Sequence, residues 1–284
     1  MSHDTATPGD VATFYDRIAH SAEDIMGNNL HMGYWSGPDA PTTVEDAADR
    51  MTDLLTSELG VADGQRVLDV GCGTGRPAVR LAQARDVYVV GVTISRVQVD
   101  LASARATAAG LADRVGFQCA DAMRLPFRDS SFDAALAIES LLHMPDRLTV
   151  LREIARVLRP GGHLVLSDPV LRSPDITDEK REVLADYYDL LKVVHIPPID
   201  VYPKLIRDSG FRLDMLRDVG EHTDRYKLGP RGWSLLAEGL RHSGTLTSEK
   251  YGMTPAEQDT FLARLKRLEK LPDQGYLLVA AHKV

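Results

Sequence analysis

The strongest chemical signal in the chain is the run Asp69-Val70-Gly71-Cys72-Gly73-Thr74-Gly75. Glycines let a backbone turn sharply and approach a ligand closely, and unpaired N–H groups at a helix start favour an anionic group. The Gly-x-Gly-x-Gly spacing departs from the Gly-x-Gly-x-x-Gly of dinucleotide binders. An aspartate two residues ahead of the first glycine is poorly suited to a nearby pyrophosphate and well suited to a cationic group. The pattern therefore points away from NAD. Cys72, inside the turn, reads as a small filler residue. Further candidates lie in Glu139-Ser140-Leu141-Leu142-His143 and in Ser167-Asp168. A histidine with an ordinary pKa of about 6.5 suits a base that takes the proton of a phenol or sugar hydroxyl, and His143 is the candidate. Asp168 is expected either to orient it or to accept from the substrate directly. His20, His31 and His195 make no metal-ligand spacing with Cys or Glu, so no metal is implied.

The elements that must position these groups alternate. Short apolar or β-branched runs at Arg66–Val70, Val87–Thr93, Val115–Cys119, Phe132–Ile138 and His163–Ser167 predict five strands. Helical spacing between them predicts helices over Thr74–Arg85, Arg96–Ala109 and Leu148–Leu158, the last stopped by Arg159-Pro160-Gly161-Gly162. This rhythm means βαβ units and a mainly parallel sheet covered on both faces. Before it, Val11–Ile25 and Thr43–Leu59 read as helices flanking an aromatic loop, with Thr42 or Thr43 as N-cap of the second. After it come helices at Thr177–Val194, Val201–Ser209, Trp233–Arg241 and Pro255–Leu268, and strands at Phe211–Asp218 and Gly275–His282. The expected architecture is α/β, a Rossmann-like seven-stranded sheet with an N-terminal helical cap and helical lid insertions. Residues 1–60 would form the cap and lid loop. Residues 61–284 would form the cofactor-binding domain, with insertions at about 171–209 and 222–270.

The run VLDVGCGTG resembles the first motif of the class I S-adenosylmethionine (SAM)-dependent methyltransferases, and the resemblance extends over about Val61–Asp168. It implies that Asp69, Gly71, Gly73 and Gly75 face the methionine part of the cofactor. It also implies that Asp121, Ala122 and Met123 hold the adenine, Asp121 accepting from the exocyclic amine. Many members carry an acidic residue at the end of the second strand, for the ribose hydroxyls. Here GVTIS places Thr93 there, with Gln98 as the best-placed polar partner, and this variant is similar to the sterol, tocopherol and natural-product branch. ESLLHMPD resembles the indolocarbazole sugar O-methyltransferases, in which paired histidines are candidate bases; this chain keeps one, His143, with Glu139 nearby as a cofactor contact. The stretch Asn28–Trp35 is similar to a segment that closes over the cofactor in this branch. That assigns Tyr34 to the cofactor and, with Tyr15, Trp35 to the acceptor pocket. Tyr187, Tyr188 and Trp233 in the inserts would line the same pocket and favour a bulky, partly aromatic or isoprenoid-like acceptor.

Composition narrows the function further. The 284 residues carry 33 Lys+Arg against 41 Asp+Glu, a formal charge of −8, which disfavours polyanionic partners such as nucleic acid. No Asn-Pro-Pro-Tyr-type base-binding motif is present. Two cysteines are too few for a stapled scaffold, the opening residues lack signal-peptide character, and no apolar run approaches the roughly 20 residues of a membrane span. The expectation is a cytoplasmic enzyme acting on a small molecule without membrane insertion, with a homo-oligomer left open. The leading activity is methyl transfer from SAM to a hydroxyl oxygen of a secondary metabolite, leaving S-adenosylhomocysteine. The single histidine motivates two alternatives: C-methylation of an isoprenoid-like acceptor, and a SAM-binding cyclase of a polyene that transfers no methyl.

Overall fold

Seven strands form one sheet in the order β3-β2-β1-β4-β5-β7-β6. They are β1 (Arg66–Val70), β2 (Tyr88–Thr93), β3 (Val115–Cys119), β4 (Phe132–Ile138), β5 (Leu158–Leu171), β6 (Phe211–Asp218) and β7 (Gln274–Lys283). Only β7 runs against its neighbours, β5 and β6. The computed structural model describes residues 6–26, 29–35, 43–223, 237, 238, 240, 241, 253–271 and 273–284.

Side chains of a strand alternate between faces, and both faces here are apolar. On β4, Ala134, Leu136 and Ile138 enter one core layer and Ala135 and Ala137 the other. The first of these layers is closed by α2 (Val44–Ser57), α3 (Arg76–Ala84) and α4 (Arg96–Ala108), through Met51, Leu55, Val79, Leu81 and Ala106. The opposite layer is closed by α5 (Arg147–Val157) and α7 (Tyr202–Asp208), through Leu151, Ile154, Tyr202 and Ile206. A third cluster joins α6 (Asp178–Leu191) to α8 (Pro255–Arg267), where Leu184, Tyr187 and Leu190 meet Leu262 and Leu265. Arg264 ties the two helices by ion pairs to Asp186 at 2.9 Å and Asp189 at 2.8 Å. The helix starts follow their caps. Thr43 makes a capping box with Asp46, Thr254 makes one with Glu257, and Ser95, Asp146 and Thr177 each accept from the third residue of their helix.

The fifth strand is longer than the sequence predicts. Arg159-Pro160-Gly161-Gly162 is a bulge rather than a stop: Leu158 pairs with Phe132, His163 with Ala134, and the residues between bow out opposite Asp133. Arg159 and Asp133 form an ion pair across it. Beyond Ser167, β7 continues the pairing from Asp168↔Leu277 to Leu171↔Gln274. Helix α7, expected within a lid insertion, packs into the core layer instead, with Tyr202 fully buried.

Candidate functional site

In open α/β sheets ligands bind beyond the carboxyl ends of the strands, where the strand order reverses. Here that place lies between β1 and β4. A cavity of about 990 Å³, counted out to its open mouth, lies against the ends of β1, β2 and β4. It is roofed by residues 29–31 and by the helix α1 (Pro8–Met26), through Pro8, Val11 and Tyr15.

The glycine turn forms one wall. Gly71 has φ +76°, and a Cβ built there would stand 2.2 Å from the Ser140 Cβ. Gly75, at φ +82°, would place its Cβ 2.7 Å from Ala102 and Phe117. Left-handed backbone and the absence of room both demand glycine. Gly71 and Gly73 line the cavity, whereas Gly75, expected to face the cofactor, does not and packs instead against Ala102 of α4 and Phe117 of β3. Asp69 is buried above this turn, and its Oδ2 has no hydrogen-bond partner among the described residues. Burial pushes its pKa up to about 7. Two more buried oxygens on the cavity wall also have no partner among the described residues, Asn29 Oδ1 and Ser140 Oγ. Cys72 lies in the wall as well, its thiol pushed well above the ordinary range by burial and then by Asp69.

The other predicted cofactor residues are distributed round the same cavity. The Thr93 hydroxyl donates to Gln98 Oε1 at 2.6 Å, and both residues line the space. Asp121 Oδ1 accepts from the Met123 N–H at 2.9 Å and so caps a short turn, while Asp121, Ala122 and Met123 all line the cavity. Glu139 directly follows β4 at φ +45°, an unfavourable conformation for a residue with a Cβ. Its Oε1 accepts from the Met32 N–H at 2.5 Å and from the Tyr276 hydroxyl at 2.8 Å. Tyr276 in turn sits 3.0 Å from Ser167 Oγ. The strained carboxylate thus ties the N-terminal loop to the middle of the sheet.

His143 stands at the opposite end. Its Nδ1 lies 2.9 Å from the Lys192 carbonyl oxygen, which can only accept, so Nδ1 carries the proton. Nε2 is then a lone pair, and it accepts from the Tyr15 hydroxyl at 2.7 Å. Burial lowers the His143 pKa to about 4, against the backbone bond to Lys192, which raises it. The imidazole is therefore neutral near pH 7. Burial likewise raises the Tyr15 pKa, so its phenol keeps its proton.

Several expected residues lie elsewhere. Asp168 is fully buried and does not line the cavity: Tyr202 donates to its Oδ2 at 2.9 Å, and Arg147 Nε lies 3.7 Å away. It can neither orient His143 nor meet an acceptor from there. Burial raises its pKa to about 6 despite Arg147. Tyr34 and Trp35 are turned away from the cavity. The Tyr34 N–H bonds to the Ala47 carbonyl, its ring packs on His222 at 5.0 Å, and the Trp35 N–H bonds to the His222 carbonyl. Their neighbours Asn29, Leu30 and His31 form the wall instead. Tyr187 and Tyr188 pack with α8 in the third cluster rather than in the pocket. Trp233 lies outside the described residues. Ser140 and Asn29 were not singled out from sequence. Both nevertheless lie in runs the sequence marks, Ser140 in Glu139–His143 and Asn29 in Asn28–Trp35, without a role of their own there.

Residues 68–166 match the model of a family described as a methyltransferase domain. The chain is 39% identical over 278 residues to 27-O-demethylrifamycin SV methyltransferase of Amycolatopsis mediterranei (strain S699), covering 98% of each chain. It belongs to the SAM-dependent methyltransferases. The methyltransferase is also 42% identical over 213 residues to the O-methyltransferase rstn1 of Aspergillus nomiae, over 75% of this chain and 93% of that one. Among solved structures it is similar to the [4+2]-cyclase SpnF, with TM-score 0.81 and 31% identity over 100% of this chain and 99% of that one. The residues present fit SAM. A buried carboxyl with an orphaned oxygen, which a cationic group would hold ionised, lies beside a turn in which no side chain could stand at Gly71.

Proposed function

We propose that this methyltransferase methylates a hydroxyl oxygen of a small-molecule secondary metabolite in the cytoplasm. Two observations outside the site support the reading: the relative at 42% identity is named an O-methyltransferase and that at 39% a 27-O-demethylrifamycin SV methyltransferase, and no described helix is long and apolar enough to cross a membrane. When bound, SAM supplies an electrophilic methyl carbon on a sulfonium. Asp69 and the turn at Gly71 and Gly73 bind its methionine end, and Gly75 lets that turn pack against α4 and β3. Thr93 and Gln98 meet the ribose hydroxyls, and Asp121, Ala122 and Met123 meet the adenine. Glu139 acts on the cofactor through the loop it holds.

The observation that carries the reading is the neutral His143. Its Nδ1–H is fixed by the Lys192 carbonyl, so the Nε2 lone pair points one way, to the Tyr15 hydroxyl that lines the cavity. A hydroxyl that took the place of the Tyr15 O–H would donate to Nε2, which would accept its proton, while bound SAM would supply the methyl group. The walls at that end are Pro8, Val11, Met144 and Pro145, without charge, which suits an uncharged acceptor. A cyclase that keeps the fold is the second reading, favoured by the whole-length likeness to SpnF. Methyl-labelled SAM with a panel of hydroxylated natural products and polyenes separates the two. Labelled ether together with S-adenosylhomocysteine supports O-methylation; labelled carbon, or cyclised product without cofactor turnover, refutes it.

A further inference from the structure

The N-terminal loop places a second buried acceptor at the methionine end of the cavity. Asn29 is 1% exposed and lines the wall, and its Nδ2 donates to Asp49 Oδ1 at 3.3 Å. Asp49 is a carboxylate gripped by Arg76 at 2.8 Å and Arg80 at 2.7 Å. It can only accept, so the amide is oriented with Nδ2 toward Asp49, and Oδ1 is the atom left with no partner among the described residues. The position along the cavity follows from the neighbours. Leu30 lies 3.2 Å from where a Cβ on Gly73 would stand, and Arg76 directly follows Gly75. Asn29 therefore sits over the same turn that Asp69 precedes.

A buried acceptor left unpaired is destabilising, and two such oxygens, Asn29 Oδ1 and Asp69 Oδ2, belong to residues that line the same cavity. Both need donors, and one of the residues is an acid. A group with several N–H donors and a positive charge satisfies both, whereas a carboxylate satisfies neither. We propose that Asn29 is a ligand of the cofactor's α-ammonium group, sharing it with Asp69, so that the N-terminal loop reads the amino-acid end of the cofactor directly. The proposal rests on the cavity being the SAM site. It also explains why the loop is anchored so firmly, by Met32 on Glu139 and by His31 on Thr52 at 3.1 Å.

Calorimetric titration with two probes tests it. S-adenosylhomocysteine carries the ammonium; 5′-methylthioadenosine has the same adenosine and sulfur but no amino-acid end. For Asn29→Leu, the dissociation constant for S-adenosylhomocysteine is expected to rise about tenfold to a hundredfold, the loss of one hydrogen bond to a charged group. That for 5′-methylthioadenosine is expected to stay within about twofold. Equal losses for both probes would make Asn29 a mere wall of the loop and overturn the proposal, as would no loss for either. If Asn29→Leu does not fold, Asn29→Ser carries the same test and the same differential. Failure of the wild-type chain to bind either probe would instead sink the SAM-site reading beneath it.

Discussion

Asp69 carries the sharpest prediction, because its environment makes cofactor binding a titration. Its carboxyl is buried, has an oxygen without a partner among the described residues, and is pushed up to about 7 by desolvation, with no cation among the described residues opposing the shift. An ordinary aspartate titrates near 3.9, so burial disfavours the ionised form by about 4 kcal/mol at most. The folded pKa is the higher one, so the folded chain binds more protons than the unfolded chain between those two values. This group's contribution to stability is then present below about pH 4 and lost as pH rises through about 7. A bound ammonium reverses the balance and holds the carboxylate ionised. Binding of S-adenosylhomocysteine should therefore release about 0.9 proton at pH 6 and about 0.2 at pH 7.5, and affinity should be roughly eightfold weaker at the lower pH. His31 and His143, held near 4 by burial, do not titrate in that window. Asp168, near 6, titrates there but lies outside the cavity wall. Calorimetry in two buffers of different ionisation heat counts the protons. Asp69→Asn should abolish the release and weaken binding at pH 7.5. A flat affinity with no proton release in the wild-type chain would refute the assignment of Asp69 to a cationic group.

Three further outcomes follow from the remaining contacts. His143→Ala should lower turnover by about 10²–10⁴ while S-adenosylhomocysteine affinity stays within about twofold, and the acid limb of the wild-type pH–rate profile should fall below about pH 5. Unchanged turnover would make His143 structural. Tyr15→Phe removes a polar tie that holds α1; another among the described residues is Ser95 to Asp16 at 2.5 Å. Amide exchange in α1 should speed up about fivefold to tenfold, measured by hydrogen exchange, and unchanged rates would show that the bond does not hold the helix. Asp168→Ala breaks a buried charge pair and leaves Arg147 uncompensated, so the thermal midpoint should fall by about 10 °C, a loss of about 3–5 kcal/mol. A hundredfold fall in turnover at an unchanged midpoint would return Asp168 to the chemistry.

What could be read in the sequence and what could not divide on a physical line. The turn at Gly71 to Gly75 is legible because its demands are local: positive φ and lack of space act on residues adjacent in the chain. The strand periodicity is legible for the same reason, and β1, β3, β4 and β6 begin and end where the pattern places them. Asp168 shows the opposite case. A fifth strand ending at Ser167 would have set Asp168 at the ligand edge of the sheet. Instead β7, more than a hundred residues on in the chain, prolongs β5 to Leu171 and carries Asp168 into the interior, where Arg147 and Tyr202 receive it. The same strand brings Tyr276 under Glu139, so the anchor of the N-terminal loop is built by a residue with no motif around it. Tyr187 and Tyr188 fail for a related reason. Their place depends on α8 and on its ion pairs to α6, and a helix that has found a partner helix has no aromatic face left for a substrate. The residues assigned to the cofactor are thus written in short spacing, whereas those assigned to the acceptor space depend on which distant elements pair. The lone pair of His143 depends on both: its position after β4 is local, but the carbonyl that aims it belongs to Lys192, just past the end of α6.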